Sequence, residues 1–365
     1  MKKIIIAALI LISIISCNSK KTDNTEVTTD TNAVNTNNTE TSNNNDEYIE
    51  DNNTEEINTD TAEISEVPEW DLEAFNDLKN VKDAESLKSF EEKHGERSLI
   101  MALQYGDKKM VMELLFYGAN VDQTYVDNDS PLKTASAKGD LELVKDFIKR
   151  GANVNFRGEG NIDALHSAVM STNENSLKIM KELLDAGAEV DVEYGWEEPF
   201  PILLDTIGVD ESKCDLEKFK MLAEYGADIN YVDNYGYPLI RYAVNAGCLD
   251  IVKYLVSKGI DPAMKYELKE YYPNVNISLL ASTLYNSDTE MAKYLIEQGA
   301  DVNTPIPSED GYPLLLQAID NGKTELVKLL IEKGADTTVV NKEKKTVFDI
   351  AREKGYDDIL ELENK

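Results

Sequence analysis

The chain contains few of the residues that build metal sites, disulfide frameworks and most catalytic centres. Its 365 residues include three cysteines and two histidines, His94 and His166. Three cysteines are too few for a disulfide framework. The two histidines lie far apart in the sequence, in different helical units, and no cysteine pair accompanies them, so no zinc-ligand spacing exists. We therefore expect no metal and no cofactor.

Motifs of nucleotide, calcium and acyl-transfer chemistry are also missing. Gly322-Lys323-Thr324 resembles the end of a phosphate-binding loop, but Gln317 stands where that loop needs its first glycine. Asp127-Asn128-Asp129 begins like a calcium loop, but Leu132 and Lys138 replace the required glycine and glutamate. There is no Gly-x-Ser-x-Gly motif and no triad pattern. The sequence predicts a protein that is not an enzyme.

Basic side chains are scarce relative to acidic ones. The chain has 37 Lys and Arg against 69 Asp and Glu, a net charge of −32. A field of that sign repels nucleic-acid phosphates and anionic lipid headgroups, so it argues against both as partners. It favours a protein partner that is itself basic.

The first 16 residues are predicted to be a signal peptide. Lys2 and Lys3 precede an apolar run at 4–15, which is too short to span a bilayer. Ile14-Ile15-Ser16-Cys17 resembles the bacterial lipobox, which implies that Cys17 is acylated and anchors the chain through lipid alone. The alternative is an ordinary signal peptide followed by a coincidental cysteine. The resemblance implies the bacterial cell envelope, on an outer membrane facing the periplasm or at the surface.

Residues 17–69 have a composition unlike the rest of the chain. From Asn18 to Glu69 there are 12 Asn, 11 Thr and 14 acidic side chains, against two lysines. Such a segment cannot bury enough apolar surface to offset the entropy of ordering it. We predict a disordered, acidic, Asn/Thr-rich tether between the membrane and a folded domain.

A Gly-Ala step followed by a polar and a β-branched residue recurs from residue 118 onward. Its copies begin at Gly118, Gly151, Gly187, Gly226 and Gly299, with less complete copies at Gly259 and Gly334. The intervals between successive glycines are 33, 36, 39, 33, 40 and 35 residues. A base period of 33 with insertions indicates a repeat protein.

Each of these glycines follows an amphipathic stretch. In the second copy the apolar residues recur at spacings of three and four: Leu141, Val144, Phe147 and Ile148. This pattern predicts a helix with one apolar face, and the glycine falls where a left-handed residue ends the helix. A second, shorter helix is predicted before it, entered at 130–132, with Ala135 placed four residues before Gly139.

These units resemble the ankyrin repeat, which opens on Thr-Pro-Leu-His-x-Ala and closes on Gly-Ala-Asp-Val-Asn. Residues 130–135 and 163–168 match the opening, while Pro201, Pro238 and Pro313 each stand one place early. The resemblance implies an all-α repeat solenoid of stacked helix-turn-helix units with short β-hairpin fingers. The predicted domain consists of an N-terminal helical cap at 70–96, about seven repeats at 97–344 and a C-terminal capping repeat at 345–365. In the cap, the inward-facing residues are predicted to be Leu72, Phe75, Leu78, Leu87 and Phe90.

The remaining functional signal is aromatic. Many of the 18 tyrosines fall in the predicted fingers, and tyrosine and tryptophan are enriched at binding hot spots. The candidate partner-binding residues are Tyr125, Tyr194, Trp196, Tyr231, Tyr235, Tyr237, Tyr266 and Tyr312. We predict a monomeric, membrane-anchored protein-interaction module. The alternative is a structural role that protects an exported envelope enzyme.

Cys214 and Cys248 occupy neighbouring turns between helices. Packed helices lie about 8–10 Å apart, whereas a disulfide needs Cα atoms within about 6.8 Å. We therefore expect two free thiols, although export to an oxidising compartment leaves a disulfide as the alternative.

Overall fold

The computed structural model describes residues 67–124, 129–194, 200–208, 214–267, 276–286, 289–306, 308 and 312–363. Within these residues the chain forms consecutive pairs of short antiparallel helices that stack side by side. The predicted Cys17 lipidation and the 17–66 part of the tether lie outside the described residues. No helix of the described part is both long and apolar enough to cross a bilayer.

Two helices precede the repeats: α1 (Leu72–Leu78) and α2 (Ala84–His94). The helix pairs that follow are α3 (Ser98–Tyr105) with α4 (Lys108–Tyr117), α5 (Pro131–Lys138) with α6 (Leu141–Lys149), and α7 (Ala164–Met170) with α8 (Ser176–Asp185). In the fourth repeat a 3-10 helix (Ile202–Thr206) takes the first position before α9 (Leu216–Glu224).

The remaining pairs are α10 (Leu239–Asn245) with α11 (Leu249–Ser257), α12 (Leu279–Asn286) with α13 (Thr289–Glu297), α14 (Leu314–Asp320) with α15 (Thr324–Glu332), and α16 (Val347–Lys354) with α17 (Asp357–Leu360). We number repeats 1 to 7 by their closing glycines, from Gly118 to Gly334. The first helix of each pair is the inner helix and the second the outer helix. The predicted all-α repeat solenoid is confirmed.

The closing glycines end the outer helices as the periodicity predicts. Gly118 has φ +99° and the next amide, Ala119 N–H, donates to the carbonyl of Leu114 at 3.0 Å. A Cβ added at this glycine would touch nothing within 4 Å. The left-handed backbone, and not lack of space, therefore requires glycine there.

The inner helices begin in two ways, which explains the shifted prolines. Pro131 is the first residue of α5, and the Ser130 hydroxyl accepts the Lys133 N–H at 3.2 Å as an N-cap. Pro238 and Pro313 instead occupy the N-cap position itself and have no capping side chain. Each lies in an isolated β-bridge that closes a finger.

The buried core is formed by one face of every helix, and neighbouring repeats share it. In α6 the side chains of Leu143, Val144 and Phe147 are buried, and Leu141 and Ile148 pack at the margin. The predicted inward residues of the cap are buried with one exception. Leu72 is 46% exposed, so that prediction is wrong. The buried face of α1 is formed by Ala74, Phe75 and Leu78, and at 100° per residue Leu72 points away from it.

A row of polar side chains links successive repeats. The residue four places after a closing glycine accepts the backbone N–H two places after the next closing glycine. Four such bonds are present: Asp122 to Asn153 at 2.8 Å, Asn155 to Glu189 at 2.9 Å, Asp191 to Asp228 at 2.8 Å and Asn303 to Asp336 at 2.8 Å. We call this row the Asx ladder.

The Asx ladder is interrupted around repeat 5. Asn230 and Ala263 occupy the ladder position in repeats 4 and 5, and neither forms this bond within the described residues. Alanine has no acceptor, which accounts for Ala263. Two other links lie at these interfaces: a disulfide between repeats 4 and 5, and a paired finger between repeats 5 and 6.

The disulfide joins Cys214 and Cys248, so the expectation of two free thiols is wrong. Their Cα atoms are 5.6 Å apart, within disulfide range. The spacing of helix axes was the wrong measure, because both cysteines precede their helices and lie in turns. Asp215 N–H donates to Thr206 O at 2.9 Å and Cys248 N–H to Ala243 O at 2.9 Å, so each turn is tied to the preceding helix of its own repeat.

Asn155→Ala should lower the free energy of unfolding by about 1 kcal/mol, because it removes the acceptor for Glu189 N–H and a donor to Gly187 O. Urea denaturation followed by circular dichroism measures the change. Asn230→Ala is the matched control, at the same position without the bond, and should change stability by less than about 0.5 kcal/mol. Equal losses in the two variants would contradict the ladder's role.

Replacing Cys214 and Cys248 together with serine should destabilise the solenoid. The disulfide spans a sequence separation of 34 residues, and loop-closure entropy assigns about 3–4 kcal/mol to a closed loop of that size. Denaturation midpoints with and without a reductant measure this loss. The reductant should shift the natural chain and leave the double variant unchanged; an unshifted natural chain would disprove the pairing.

Candidate binding surface of the fingers and inner helices

Hairpin fingers connect successive repeats and lie beside the inner helices. In one finger β1 (Glu193–Tyr194) pairs antiparallel with β2 (Phe200–Pro201), and in another β3 (Lys265–Glu267) pairs with β4 (Asn276–Ser278). Single bridges close two further fingers, Val232 with Pro238 and Pro305 with Pro313. The expected β-hairpin fingers are therefore present at these four places.

The finger at 231–238 is organised by one carboxylate. Asp233 Oδ1 accepts the backbone N–H groups of Tyr235 and Tyr237 at 2.9 and 2.8 Å. Its Oδ2 accepts the hydroxyl of Tyr242 on α10 at 2.5 Å. A single side chain thus holds a tight turn and joins it to the inner helix. This arrangement gives the finger tyrosines fixed positions.

Three of the predicted aromatic residues lie partly exposed on fingers. Tyr231 and Tyr235 are half-buried in the finger that Asp233 organises. Tyr312 is half-buried at the end of another finger, and its hydroxyl donates to Asp320 Oδ2 at 3.0 Å. All three residues are partly exposed, and tyrosine is among the residue types enriched at binding hot spots.

Two of the predicted residues are buried in the core instead. Tyr237 is 4% exposed and Tyr266 7% exposed. Their rings pack edge to face with centroids 6.1 Å apart, so neither presents an open face to a partner. Tyr194 is the last residue of β1, and only its backbone is described. Tyr125 and Trp196 lie outside the described residues.

The search for tyrosines in the predicted fingers did not identify Arg241 and Tyr242 on α10, which lie beneath the same fingers. When the repeats are aligned, Arg241 occupies the position that His166 has in repeat 3, three residues after the helix N-cap. There His166 is buried on α7, with Nε2 3.6 Å from Asp205 Oδ2. Arg241 could have been identified from the sequence because it is an arginine at the repeat position where the family has histidine.

The buried tyrosine hydroxyls of this surface are held in the protonated form. Burial raises the pKa of Tyr242 well above 10, and the hydrogen bond to Asp233 raises it further. Burial, with the nearby charge of Asp320, likewise raises the pKa of Tyr312. Burial also raises the pKa of Tyr231. These groups are neutral hydrogen-bond donors at physiological pH.

Several lysines contact the ends of inner helices. Lys218 is buried, and its Nζ donates to the carbonyls of Val169 and Ser171 at 2.9 and 2.7 Å, at the C-terminus of α7. Lys138 reaches Leu103 O at the end of α3 in the same way. Lys354 donates to Asp320 O at 2.7 Å. A positive charge at a helix C-terminus is favourable, and these lysines carry their charge between repeats.

Within the described residues no cluster of His, Cys, Asp and Glu could hold a metal ion.

Comparison with known families identifies the repeats. A profile for three copies of the ankyrin repeat matches residues 99–194 and 278–362. A profile for many ankyrin copies matches residues 211–256. Together they cover more than half of the chain. The chain belongs to the ankyrin repeat family, whose repeats form protein-interaction modules.

Similar proteins come from viruses and eukaryotes. An ankyrin repeat protein of Acanthamoeba polyphaga mimivirus is 30% identical over 48% of this chain and 22% of its own length. One of fowlpox virus is 29% identical over 57% of this chain and 35% of its own length. The chain therefore matches about a third or less of these relatives.

Two solved ankyrin domains are similar to this chain at low identity. The human ASB11 ankyrin repeat domain has a TM-score of 0.48 at 23% identity, covering 61% of this chain and 91% of that domain. The ankyrin repeat domain of Bcl-3 has a TM-score of 0.49 at 24% identity, covering 64% and 99%.

The raised pKa values predict an alkaline loss of stability. Tyr242 and Tyr312 have folded-state pKa values above the ordinary 10.0, so their contribution is complete below pH 10 and is lost as pH rises further. Unfolding by urea at stepped alkaline pH measures this, with tyrosinate absorbance recording ionisation. Tyr242→Phe should show a smaller alkaline loss than the natural chain. An identical pH profile for the two would contradict the assignment.

Proposed function

We propose that this chain is an exported, lipid-anchored interaction module that binds a basic protein partner with its fingers and inner helices. The observation that carries the proposal is the set of anchored, half-exposed tyrosines on the fingers. Tyr231, Tyr235 and Tyr312 offer rigid aromatic surface at low entropic cost. Protein binding in general, without the nature of the partner, follows from membership of the family.

Charge supports the choice of a basic partner. From Trp70 to the C-terminus the chain has 33 basic and 55 acidic residues, a net of −22. Three of the lysines donate to carbonyls at the ends of inner helices in the neighbouring repeat: Lys138, Lys218 and Lys354. Such a field accelerates encounter with a cationic partner and is screened over about 8 Å at physiological ionic strength.

Two independent features support export. One is the lipobox-like sequence ending at Cys17. The other is the Cys214–Cys248 disulfide, because disulfides persist in oxidising compartments and are rare in a reducing cytosol. The 17–69 segment would then be the spacer between the lipid and the repeats.

Capture from detergent-solubilised envelope tests the proposal. The full chain should partition with membranes and recover a basic protein, with recovery falling as salt rises. Cys17→Ser should release the chain from the membrane fraction and still bind. Continued partitioning of Cys17→Ser with detergent would refute lipid anchoring, and an acidic partner bound without salt dependence would refute the electrostatic part.

The finger surface has a matched control. Replacing Tyr231 and Tyr235 with alanine should reduce recovery of the partner at least tenfold, the loss of about 1.4 kcal/mol or more typical of a hot spot. Tyr225→Ala changes a tyrosine that is also exposed but follows outer helix α9, and it should bind normally. Equal recovery by all three chains would place the binding surface elsewhere. A captured enzyme whose half-life depends on the repeats would favour the protective role instead.

A further inference from the structure

Arg241 is the exception among the arginines of this chain. The sequence contains five arginines. The other four form ion pairs: Arg97 with Asp71 at 2.9 Å, Arg150 with Asp146 at 2.7 Å, Arg352 with Glu363 at 2.9 Å, and Arg157 with Glu189. Arg241 has no carboxylate within 4 Å in the described part of the chain.

Arg241 is also deeply buried, with 6% of the residue exposed. Its guanidinium carbon lies 3.7 Å from the ring centroid of Tyr237, a cation–π contact. Its Nε donates to the hydroxyl of Tyr266 at 3.0 Å, and that hydroxyl lies 3.4 Å from Ser282 Oγ. Two tyrosines from neighbouring fingers therefore fix the guanidinium in one orientation.

One nitrogen of this fixed guanidinium lacks a hydrogen-bond acceptor. Arg241 Nη1 is buried and has no hydrogen-bond partner. The acid of the adjacent finger does not supply one, since Asp233 accepts two backbone N–H groups and the Tyr242 hydroxyl. A buried donor and a buried positive charge both cost free energy when they are left uncompensated.

We propose that Arg241 is a carboxylate-recognition site, held between the fingers by Tyr237 and Tyr266. A guanidinium is planar and always charged, and its N–H groups match the two oxygens of a carboxylate. A carboxylate would supply both the missing acceptor and the missing counter-charge. Phosphate is the weaker candidate, because it carries more negative charge into a domain of net −22.

The identification of a protein as the source of this carboxylate rests on the proposed function. An aspartate or glutamate side chain, or a C-terminal carboxylate, of an otherwise basic partner would pair with Arg241. The surrounding negative field attracts the partner without selecting a docking position. A buried guanidinium without a counter-charge selects one, because only one placement of the partner brings its carboxylate to Arg241.

Arginine side-chain NMR of the full chain tests the site with small probes. The sample is labelled with ¹⁵N at its five arginines and titrated with N-acetylglycine, which carries a terminal carboxylate, and with the α-amide of N-acetylglutamate, which carries a side-chain carboxylate. Sodium chloride and inorganic phosphate are added in separate titrations at matched ionic strength. We expect the Arg241 resonances to shift saturably with at least one carboxylate, in the millimolar range, and the other four to stay nearly fixed.

The probe that binds more tightly identifies the source of the carboxylate. Arg241→Gln should abolish the saturable shift, while Arg352→Gln, which removes an exposed paired arginine, should retain it. If Arg241→Gln does not fold, the four paired arginines of the natural chain remain as internal controls. No saturable shift at Arg241 with either carboxylate, equal shifts at all five arginines, or tighter binding of phosphate would overturn the proposal.

These outcomes are separable from failure of the proposed function. Small carboxylates need no protein partner and no membrane, so their binding can succeed when envelope capture fails. Conversely, a partner captured equally well by Arg241→Gln and by the natural chain would leave the interaction module intact and remove Arg241 from it.

Discussion

Burial of apolar surface between neighbouring repeats is the interaction on which this structure depends. A helix pair such as α5 and α6 has a face, formed by residues like Val144 and Phe147, that no other part of the same repeat can cover. Only the adjacent repeats can remove it from water, so each unit is stable only within the stack. Short helices of seven to ten residues would be marginal alone, and the stack makes them stable.

That dependence gives each interface between repeats its own importance. Most interfaces add a bond of the Asx ladder to their apolar contact. Among the described residues, the interface between repeats 4 and 5 and the interface between repeats 5 and 6 lack it and have other links: the Cys214–Cys248 disulfide at the first and the β3–β4 finger, where Lys265 pairs with Ser278, at the second. Insertion length does not decide where the ladder is interrupted: the Asp191–Asp228 bond spans the 39-residue interval, whereas in the described part of the chain the bond is missing across one interval of 33 residues and one of 40. A covalent or a strand link is therefore present at both interfaces that lack the regular polar bond.

The sequence predicted those features that follow from local rules. The glycines need a left-handed backbone, and the spacing of Leu141, Val144 and Phe147 follows the helical period, so a helical repeat fold could be predicted without a structure. Features that depend on where two distant segments meet could not. Cys214 and Cys248 lie in turns whose separation no helix spacing gives, and Leu72 was misplaced because the rotation of α1 is set by its contacts.

The binding surface shows the same division. Tyrosines in the fingers could be found by position, but their exposure is decided by neighbouring fingers. Tyr237 and Tyr266 close over Arg241, while Tyr231 and Tyr235 stay partly open.

The charges around this surface act over two different distances. The excess of acidic residues acts at long range and is indifferent to position, as salt screening implies. Two buried positive charges act at contact distance: Lys218 on the carbonyls at the end of α7, and Arg241 against the ring of Tyr237. Lys218 and Arg241 are buried, so neither of these charges lies at the solvent-exposed surface. Arg241 differs from the lysines because it ends in an unpaired donor and not in a carbonyl. Within the described residues Arg241 thus combines a buried positive charge with an unsatisfied donor, in a domain whose net charge is negative.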